Sequence, residues 1–199
     1  TNIIGTENII RAALAESVQV CLFSSTDKAV NPSNAMGVSK LMAEHLMTAA
    51  NNYKGSRQTV FSSTRFGNVV GSRGSVLPIF NKQARSGGPV TVTLRDMTRF
   101  VMTVDAAVRL VLVSAMRARG GEVFVPKMDA VRIGDLAQVV VDEHARIQSG
   151  ESGGSLPRRV RPVGIVEVGS RPGEKAIEEL MTREEERRAL YLERDEIYV

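Results

Sequence analysis

Val18-Gln19-Val20-Cys21-Leu22-Phe23-Ser24-Ser25-Thr26-Asp27-Lys28 is an apolar run that ends in hydroxyls, an acid and a lysine. Val18 to Phe23 reads as a buried strand. A helical pattern stands on either side of it. Upstream, Ile3, Ile4, Ile9, Ile10, Ala13 and Leu14 recur at roughly helical spacing. Downstream, Pro32 breaks the chain, and Ser33 or Asn34 can cap a helix that runs to about Asn51. Thr59 to Phe66 reads as a second strand. Helix and strand therefore alternate, which implies βαβ units and a parallel sheet. Open sheets of that kind hold their ligands at the carboxyl ends of the strands. The Ser24–Lys28 stretch is thus the first place to look for chemistry.

Beyond the second strand the chain enters a glycine-rich loop, Gly67-Asn68-Val69-Val70-Gly71-Ser72-Arg73-Gly74-Ser75. Val76 to Arg85 reads as a short helix and Pro89 to Thr93 as a β-like run. A helix opens at Thr103 and continues through Met116, followed by a strand over Glu122–Val125 and a helix from Ile133 to about Gln148. Ser149 to Pro157 is rich in glycine and serine and is expected to be a mobile loop. Arg161 to Val168 is a further β-like run, and Thr182-x-x-Glu185 is a capping box. The expected division is a dinucleotide-binding part over 1–118, with a substrate-lobe insertion near 73–98, and a mainly substrate-binding lobe over 119–199.

Composition narrows the function classes. The 199 residues are 43% hydrophobic, which argues against disorder. The formal charge of +4 is spread along the chain; it suits a solvated surface first and an attraction for phosphate-bearing substrates second. No nucleic-acid partner is expected, because no binding motif is present and aromatics make up only 5%. Cys21 is alone and lies in an apolar run, so it reads as a small core residue. His45 and His144 have no acidic or thiol partners at ligand spacing, so no metal site is expected. No membrane segment or signal peptide is visible in this chain, and a cytoplasmic location is expected.

Several groupings can carry chemistry. In Thr26-Asp27-Lys28, a hydroxyl can hold a sugar oxygen, a buried aspartic acid can protonate a leaving hydroxyl, and a lysine can act as base. On residue type alone, a turn built from side-chain-to-backbone bonds is the commoner reading. Met36 and Lys40 are one helical turn apart and share a face. A tyrosine in place of Met36 would make a redox pair with Lys40; a methionine moves no proton. Arg65-Phe66-Gly67-Asn68-Val69-Val70-Gly71-Ser72-Arg73-Gly74-Ser75-Val76 offers glycines and free N–H groups that suit a phosphate or carboxamide, and equally an ordinary loop. In Ser170-Arg171-Pro172-Gly173-Glu174-Lys175, an arginine ahead of a proline-glycine turn can clamp a diphosphate, although a plain charged turn is the more frequent case.

Taken in order, these pieces resemble the extended short-chain dehydrogenase/reductases that act on nucleotide sugars, and among them the UDP-N-acetylglucosamine 4,6-dehydratase or polysaccharide biosynthesis group. The likeness is carried by Thr1-Asn2-Ile3-Ile4-Gly5-Thr6-Glu7-Asn8, Ser25-Thr26-Asp27-Lys28-Ala29-Val30-Asn31-Pro32, Met36-Gly37-Val38-Ser39-Lys40, the Arg65–Val76 stretch, Met97-Thr98-Arg99-Phe100, Gly120-Gly121-Glu122-Val123-Phe124-Val125-Pro126-Lys127 and Arg171-Pro172-Gly173-Glu174-Lys175. It implies an α/β fold: the C-terminal portion of a Rossmann-type doubly wound parallel sheet, with a smaller, irregular α/β substrate-binding lobe. That fold normally begins with a strand and G-x-G-x-x-G. Gly71-x-x-Gly74 follows a later strand and is too short to count. The chain starts at Thr1 and enters a helical pattern at once, which suggests a cut. The 199 residues alone are then expected to bind a dinucleotide poorly.

The resemblance also implies roles. Ordinary members carry tyrosine at position 36, whereas one branch carries methionine and leaves the acid–base work to the Thr-Asp-Lys triplet. By that likeness, NAD or NADP takes a hydride from sugar C4 and returns it to C6, giving a 4-keto-6-deoxy sugar. Lys28 removes the C5 proton, Asp27 protonates the departing C6 hydroxyl, and Thr26 holds the C4 oxygen; the C4 base is Lys28 or a water. Met36 marks the branch. Lys40 binds the nicotinamide ribose, and Arg65, Phe66 and Gly67 line the cofactor. Asn68, Ser75, Val76, Arg99, Arg171 and Glu174 belong to the UDP-sugar side. A homo-oligomer is a further expectation. The alternatives are a UDP-sugar 4-epimerase, which needs no leaving-group acid, and a truncated, non-catalytic remnant.

Overall fold

The computed structural model describes residues 1–72, 74–149 and 162–199. Arg73, residues 150–157 of the loop expected over 149–157, and Arg161 of the expected β-like run lie outside the described residues, while Ser149 ends the helix that begins at Ile133. In chain order the elements are α1 (Asn2–Ala15), β1 (Val20–Thr26), a 3₁₀ turn (Asp27–Ala29), α2 (Ala35–Tyr53), β2 (Val60–Phe66), β3 (Asn68–Val69), α3 (Val76–Arg85), β4 (Val90–Val92), β5 (Thr98–Met102), α4 (Val104–Arg117), β6 (Val123–Pro126), β7 (Asp129–Arg132), α5 (Ile133–Ser149), β8 (Ile165–Glu167), α6 (Arg183–Arg188), β9 (Tyr191–Leu192) and β10 (Ile197–Tyr198).

These elements fall into two compact units. The first contains residues 1–67, 102–129 and 178–199, and the second contains 68–101 and 130–177. A line drawn at 118 therefore runs through the first unit, between α4 and β6, and the chain returns to that unit at Glu178.

The first unit is built on a five-stranded sheet of order β1-β2-β6-β10-β9. β1, β2 and β6 run parallel, with Val20 opposite Val60, Thr26 opposite Phe66 and Thr64 opposite Phe124. β10 joins β6 antiparallel, and β9 joins β10 antiparallel. Both faces are covered by helices. On one, Ile10 and Ala13 of α1 and Met47 and Ala50 of α2 pack on Phe61. On the other, Leu110 and Val113 of α4 meet Phe124 and Ile197, with Phe66 against them. Phe61 and Phe66, an odd number of positions apart in β2, thus serve opposite faces, as the period of a strand requires. The parallel β1-β2-β6 part is what the alternation of patterns implies, and helices on both faces make the doubly wound arrangement that the resemblance implies.

Helix starts are set locally. The Asn34 side chain caps α2 by accepting from Gly37 N–H at 2.9 Å, and the Thr103 hydroxyl caps α4 by accepting from Ala106 N–H at 3.1 Å. At α6 the capping box is complete: Glu185 N–H donates to the Thr182 hydroxyl at 3.2 Å, and Thr182 N–H donates to the Glu185 carboxylate at 2.7 Å.

The second unit has its own core of Phe80, Ala84, Val90, Val92, Met97, Ile133, Ala137, Val140 and Val163. α3 and α5 supply much of it, together with the parallel pair β4 and β8. A three-stranded sheet of order β3-β5-β7 completes the unit.

Candidate active site

β1 ends where the sequence places its reactive cluster. The last residue of the strand, Thr26, caps the 3₁₀ turn that follows, its hydroxyl accepting from Lys28 N–H at 3.4 Å. The same hydroxyl donates to Asp27 Oδ1 at 2.8 Å. The Lys28 ammonium also donates to Asp27 Oδ1, at 2.9 Å. One carboxylate oxygen thus receives both neighbours. The other, Oδ2, is buried and has no hydrogen-bond partner among the described residues. Asp27 is 0% exposed, while the Lys28 side chain keeps 28%. Turn chemistry and site chemistry share the same atoms here. The turn explains the Thr26 cap, but it does not account for a fully buried carboxylate with one open oxygen.

Behind Lys28 stands a second acid. Glu178, 6% exposed, places Oε1 3.9 Å from Lys28 Nζ. Its neighbour Glu179 accepts from the Asn31 amide at 2.9 Å, and Asn31 sits in the left-handed region at φ 41°. Sequence reading missed Glu178, because nothing in local spacing connects it to a strand end so far upstream.

α2 leads away from this turn. Met36 is 44% exposed in its first turn. Lys40, one turn on, donates to the Ser24 carbonyl at 2.9 Å and lies 4.6 Å from the Phe23 ring centroid. Burial lowers its pKa, with the Glu44 charge acting the other way. An ammonium has three donors, so the bond to Ser24 leaves Lys40 able to hold another acceptor.

Gly37 explains how closely helix and turn approach. A Cβ at this position would strike the Lys28 carbonyl oxygen and come within 2.9 Å of Pro32 Cβ. Gly37→Ala in the complete protein is therefore expected to cost about 1–3 kcal/mol through forced displacement of the turn. A drop in thermal midpoint checks this; an unchanged midpoint would show that the turn can yield.

Arg65, at the far end of β2, is 2% exposed, and its guanidinium is fully engaged. Nε and Nη2 donate to Glu44 at 3.1 and 2.8 Å, and Nη1 and Nη2 donate to Glu185 at 3.0 and 2.8 Å. Nη1 also reaches the Leu180 carbonyl at 3.1 Å. Burial lowers the guanidinium pKa, but the bonds and charges of Glu44 and Glu185 outweigh it, so the net shift is upward. Burial pushes Glu185 up; its bonds from Arg65 and Thr182 prevail and hold it down at about 2. The side chain of Arg65 thus ties α2, β2 and α6 together. What it leaves for a ligand is the backbone of Arg65, Phe66 and Gly67 at the strand end.

The second unit gathers another set. Arg171-Pro172-Gly173-Glu174 is a turn closed by Glu174 N–H donating to the Arg171 carbonyl at 3.1 Å, with Gly173 at φ 76°. Glu174 accepts from Arg99 Nη2 at 3.4 Å and from Arg171 N–H at 3.4 Å. Arg99 also donates to the Thr98 carbonyl at 2.7 Å. Arg99, Arg171 and Glu174 are therefore neighbours. Asn68 lies in β3. Ser75 is the N-cap of α3 with no side-chain cap bond, its hydroxyl oxygen buried without a partner among the described residues. Val76 begins the helix.

A doubly wound, mainly parallel sheet with a buried aspartate in the turn after its first strand defines a Rossmann-type α/β protein. The chain belongs to the polysaccharide biosynthesis protein family, which matches residues 1–198. It is 51% identical over 185 residues to a Methanocaldococcus jannaschii protein described as an uncharacterized membrane protein, covering 93% of this chain and 53% of that one. It is 46% identical over 143 residues to an inverting UDP-N-acetylglucosamine 4,6-dehydratase of Campylobacter jejuni, covering 70% of this chain and 42% of the relative. A Rickettsia rickettsii UDP-glucose 4-epimerase is 40% identical over 185 residues, covering 93% and 50%. Among solved structures, Pen from Bacillus thuringiensis superposes with a TM-score of 0.89 at 40% identity, over all of this chain and 57% of that one. The fold is shared at 18% identity and a TM-score of 0.73 with DesIV, a dTDP-glucose 4,6-dehydratase from Streptomyces venezuelae solved with NAD, over 94% and 59%. The chain spans about half or less of the curated relatives it matches. No helix among the described residues is long and apolar enough to cross a membrane.

Proposed function

We propose that this chain carries the acid–base half of a nucleotide-sugar 4,6-dehydratase acting on a UDP-N-acetylglucosamine-like substrate. The observation that carries the reading is Asp27: a fully buried carboxylate bonded to Thr26 and Lys28 through one oxygen, with the other oxygen open. Elimination of water needs a base at one carbon and an acid at the next. A neutral Lys28 beside a protonated Asp27 is the same pair as the ammonium and carboxylate, with one proton moved along the 2.9 Å bond. A single transfer arms both roles.

The protons then balance. Lys28 takes the C5 proton and becomes an ammonium. Asp27 gives its proton to the C6 hydroxyl, which leaves as water. The C4 hydroxyl loses its proton first, to a water; after elimination Lys28 returns a proton to C5 and water reprotonates Asp27. Thr26, whose hydroxyl donates to Asp27 Oδ1 at 2.8 Å, would hold the C4 oxygen. A nicotinamide cofactor, when bound, supplies reversible hydride acceptance at C4 and its return at C6. Lys40 suits its ribose because the ammonium is anchored on Ser24 with donors left over. The backbone of Arg65–Gly67 would lie beside it, and Arg99, Arg171, Asn68, Ser75 and Val76 would meet the nucleotide side. Glu174, which holds Arg99 and the Arg171 N–H, would orient the arginines for a diphosphate.

The similarity to a 4-epimerase keeps a second reading in play. Epimerisation has no leaving hydroxyl to protonate, so the buried acid favours dehydration. Incubating the complete protein with UDP-N-acetylglucosamine decides among the readings. A 4-keto-6-deoxy product supports the dehydratase, a 4-epimer supports the second reading, and no turnover supports a binding or scaffolding role.

A further inference from the structure

The acid–base turn contains one proton-carrying group more than the reaction requires. Glu178 comes from the segment that re-enters the first unit, and its carboxylate is buried with Oε1 3.9 Å from Lys28 Nζ. Its chain neighbour Glu179 accepts from Asn31, two residues past the end of the 3₁₀ turn. Two consecutive acids are thus set against the turn and the segment that leaves it. A buried carboxylate is costly unless a cation faces it, and Lys28 already has Asp27.

We infer that Glu178 is a positioning residue for Lys28, serving as its counter-ion during the step in which Asp27 is uncharged. The inference rests on the dehydratase reading and adds a member to it. When Lys28 takes the C5 proton, Asp27 still holds the proton meant for the leaving hydroxyl. Lys28 is then an ammonium beside a neutral acid. Glu178 supplies negative charge to the ammonium at that moment and keeps Nζ aimed while Asp27 changes state. Once Asp27 releases its proton, it becomes a carboxylate again and shares the ammonium with Glu178. Whenever Lys28 is an ammonium, at least one carboxylate faces it. Glu178 need not touch the sugar to do this.

The test uses Glu178→Gln in the complete protein, since glutamine keeps the shape and loses the charge. Two measurements are made. The first needs no substrate: competitive acetylation of Lys28 with acetic anhydride, read by mass spectrometry against exposed lysines. Losing a facing carboxylate should speed labelling of Lys28 by about fivefold, because Nζ is no longer held by Glu178. The second follows turnover and solvent-deuterium exchange at C5 with UDP-N-acetylglucosamine. A fall of about tenfold in kcat and in C5 exchange is expected, with KM unchanged. Glu178→Asp should recover part of both effects. Unchanged labelling, or faster labelling with unchanged kcat, overturns the inference, provided thermal unfolding shows Glu178→Gln to be folded. If the wild-type protein turns over no nucleotide sugar while labelling still responds, the dehydratase reading fails and the Glu178–Lys28 coupling stands.

Discussion

Arg65→Leu is expected to destabilise the complete protein by about 3–5 kcal/mol, the range for removing one partner of a buried charge network. The leucine leaves Glu44, 3% exposed, without the cation that holds it. It also frees Glu185 and removes the bond to the Leu180 carbonyl. Urea unfolding reads the loss directly, and a change within about 0.5 kcal/mol, as at an ordinary surface site, would refute the clasp. Adding Glu44→Gln to Arg65→Leu should recover part of the loss, since the unpaired charge is then gone.

The same network fixes a pH dependence. Glu185 ionises at about 2 in the folded protein, below its ordinary 4.5. A depressed carboxyl stabilises the fold above the unfolded value and loses that contribution as pH falls through the folded one. The Glu185 contribution is therefore complete above about pH 4.5 and declines toward pH 2. Arg65→Leu removes the cause of the depression, so the gap between wild type and variant should narrow as pH falls through that window. A gap that stays constant would mean that Glu185 does not depend on Arg65.

The first unit could be read from sequence wherever a pattern was long. Both strands of the first βαβ unit and α1, α2 and α4 follow from periodicity, and Thr182-x-x-Glu185 forms the capping box its spacing calls for. Short elements left no such trace. β9 and β10 have two residues each, too few to show alternation, and their place beside β6 is decided by tertiary pairing. The same limit applies to the site. Thr26, Asp27 and Lys28 were legible because they are contiguous at a strand end. Glu44 and Glu185 on Arg65, and Glu178 on Lys28, are joined only by the fold, and their partners lie far away in sequence. Arg65 shows the consequence. Its motif points to a cofactor, whereas its guanidinium is turned to two carboxylates.

Asp27→Asn separates the acid from everything around it. Asparagine has nearly the same shape and can still accept from Thr26 and Lys28, but it has no proton to give a leaving hydroxyl. Turnover of UDP-N-acetylglucosamine by the complete protein should fall by about 10²–10⁴, the range for a lost general acid. KM should change little, because the proposed contact of Asp27 Oδ2 with the C6 hydroxyl strengthens chiefly as that bond breaks. The decisive signal lies between the two halves of the reaction. Lys28 is intact and Glu178 still faces it, but position 27 can no longer take the proton that frees Lys28, so C5 exchange should slow. Elimination should fall further, because the leaving hydroxyl has also lost its acid, and solvent deuterium then enters C5 faster than the C6 hydroxyl departs. Glu178→Gln should instead slow C5 exchange and elimination together. If Asp27→Asn lowers C5 exchange and elimination equally, the role of Asp27 is to free Lys28 and the leaving hydroxyl takes its proton elsewhere. If turnover persists at the wild-type rate, the leaving hydroxyl takes its proton from another group, and the open Oδ2 of Asp27 has no part in the elimination.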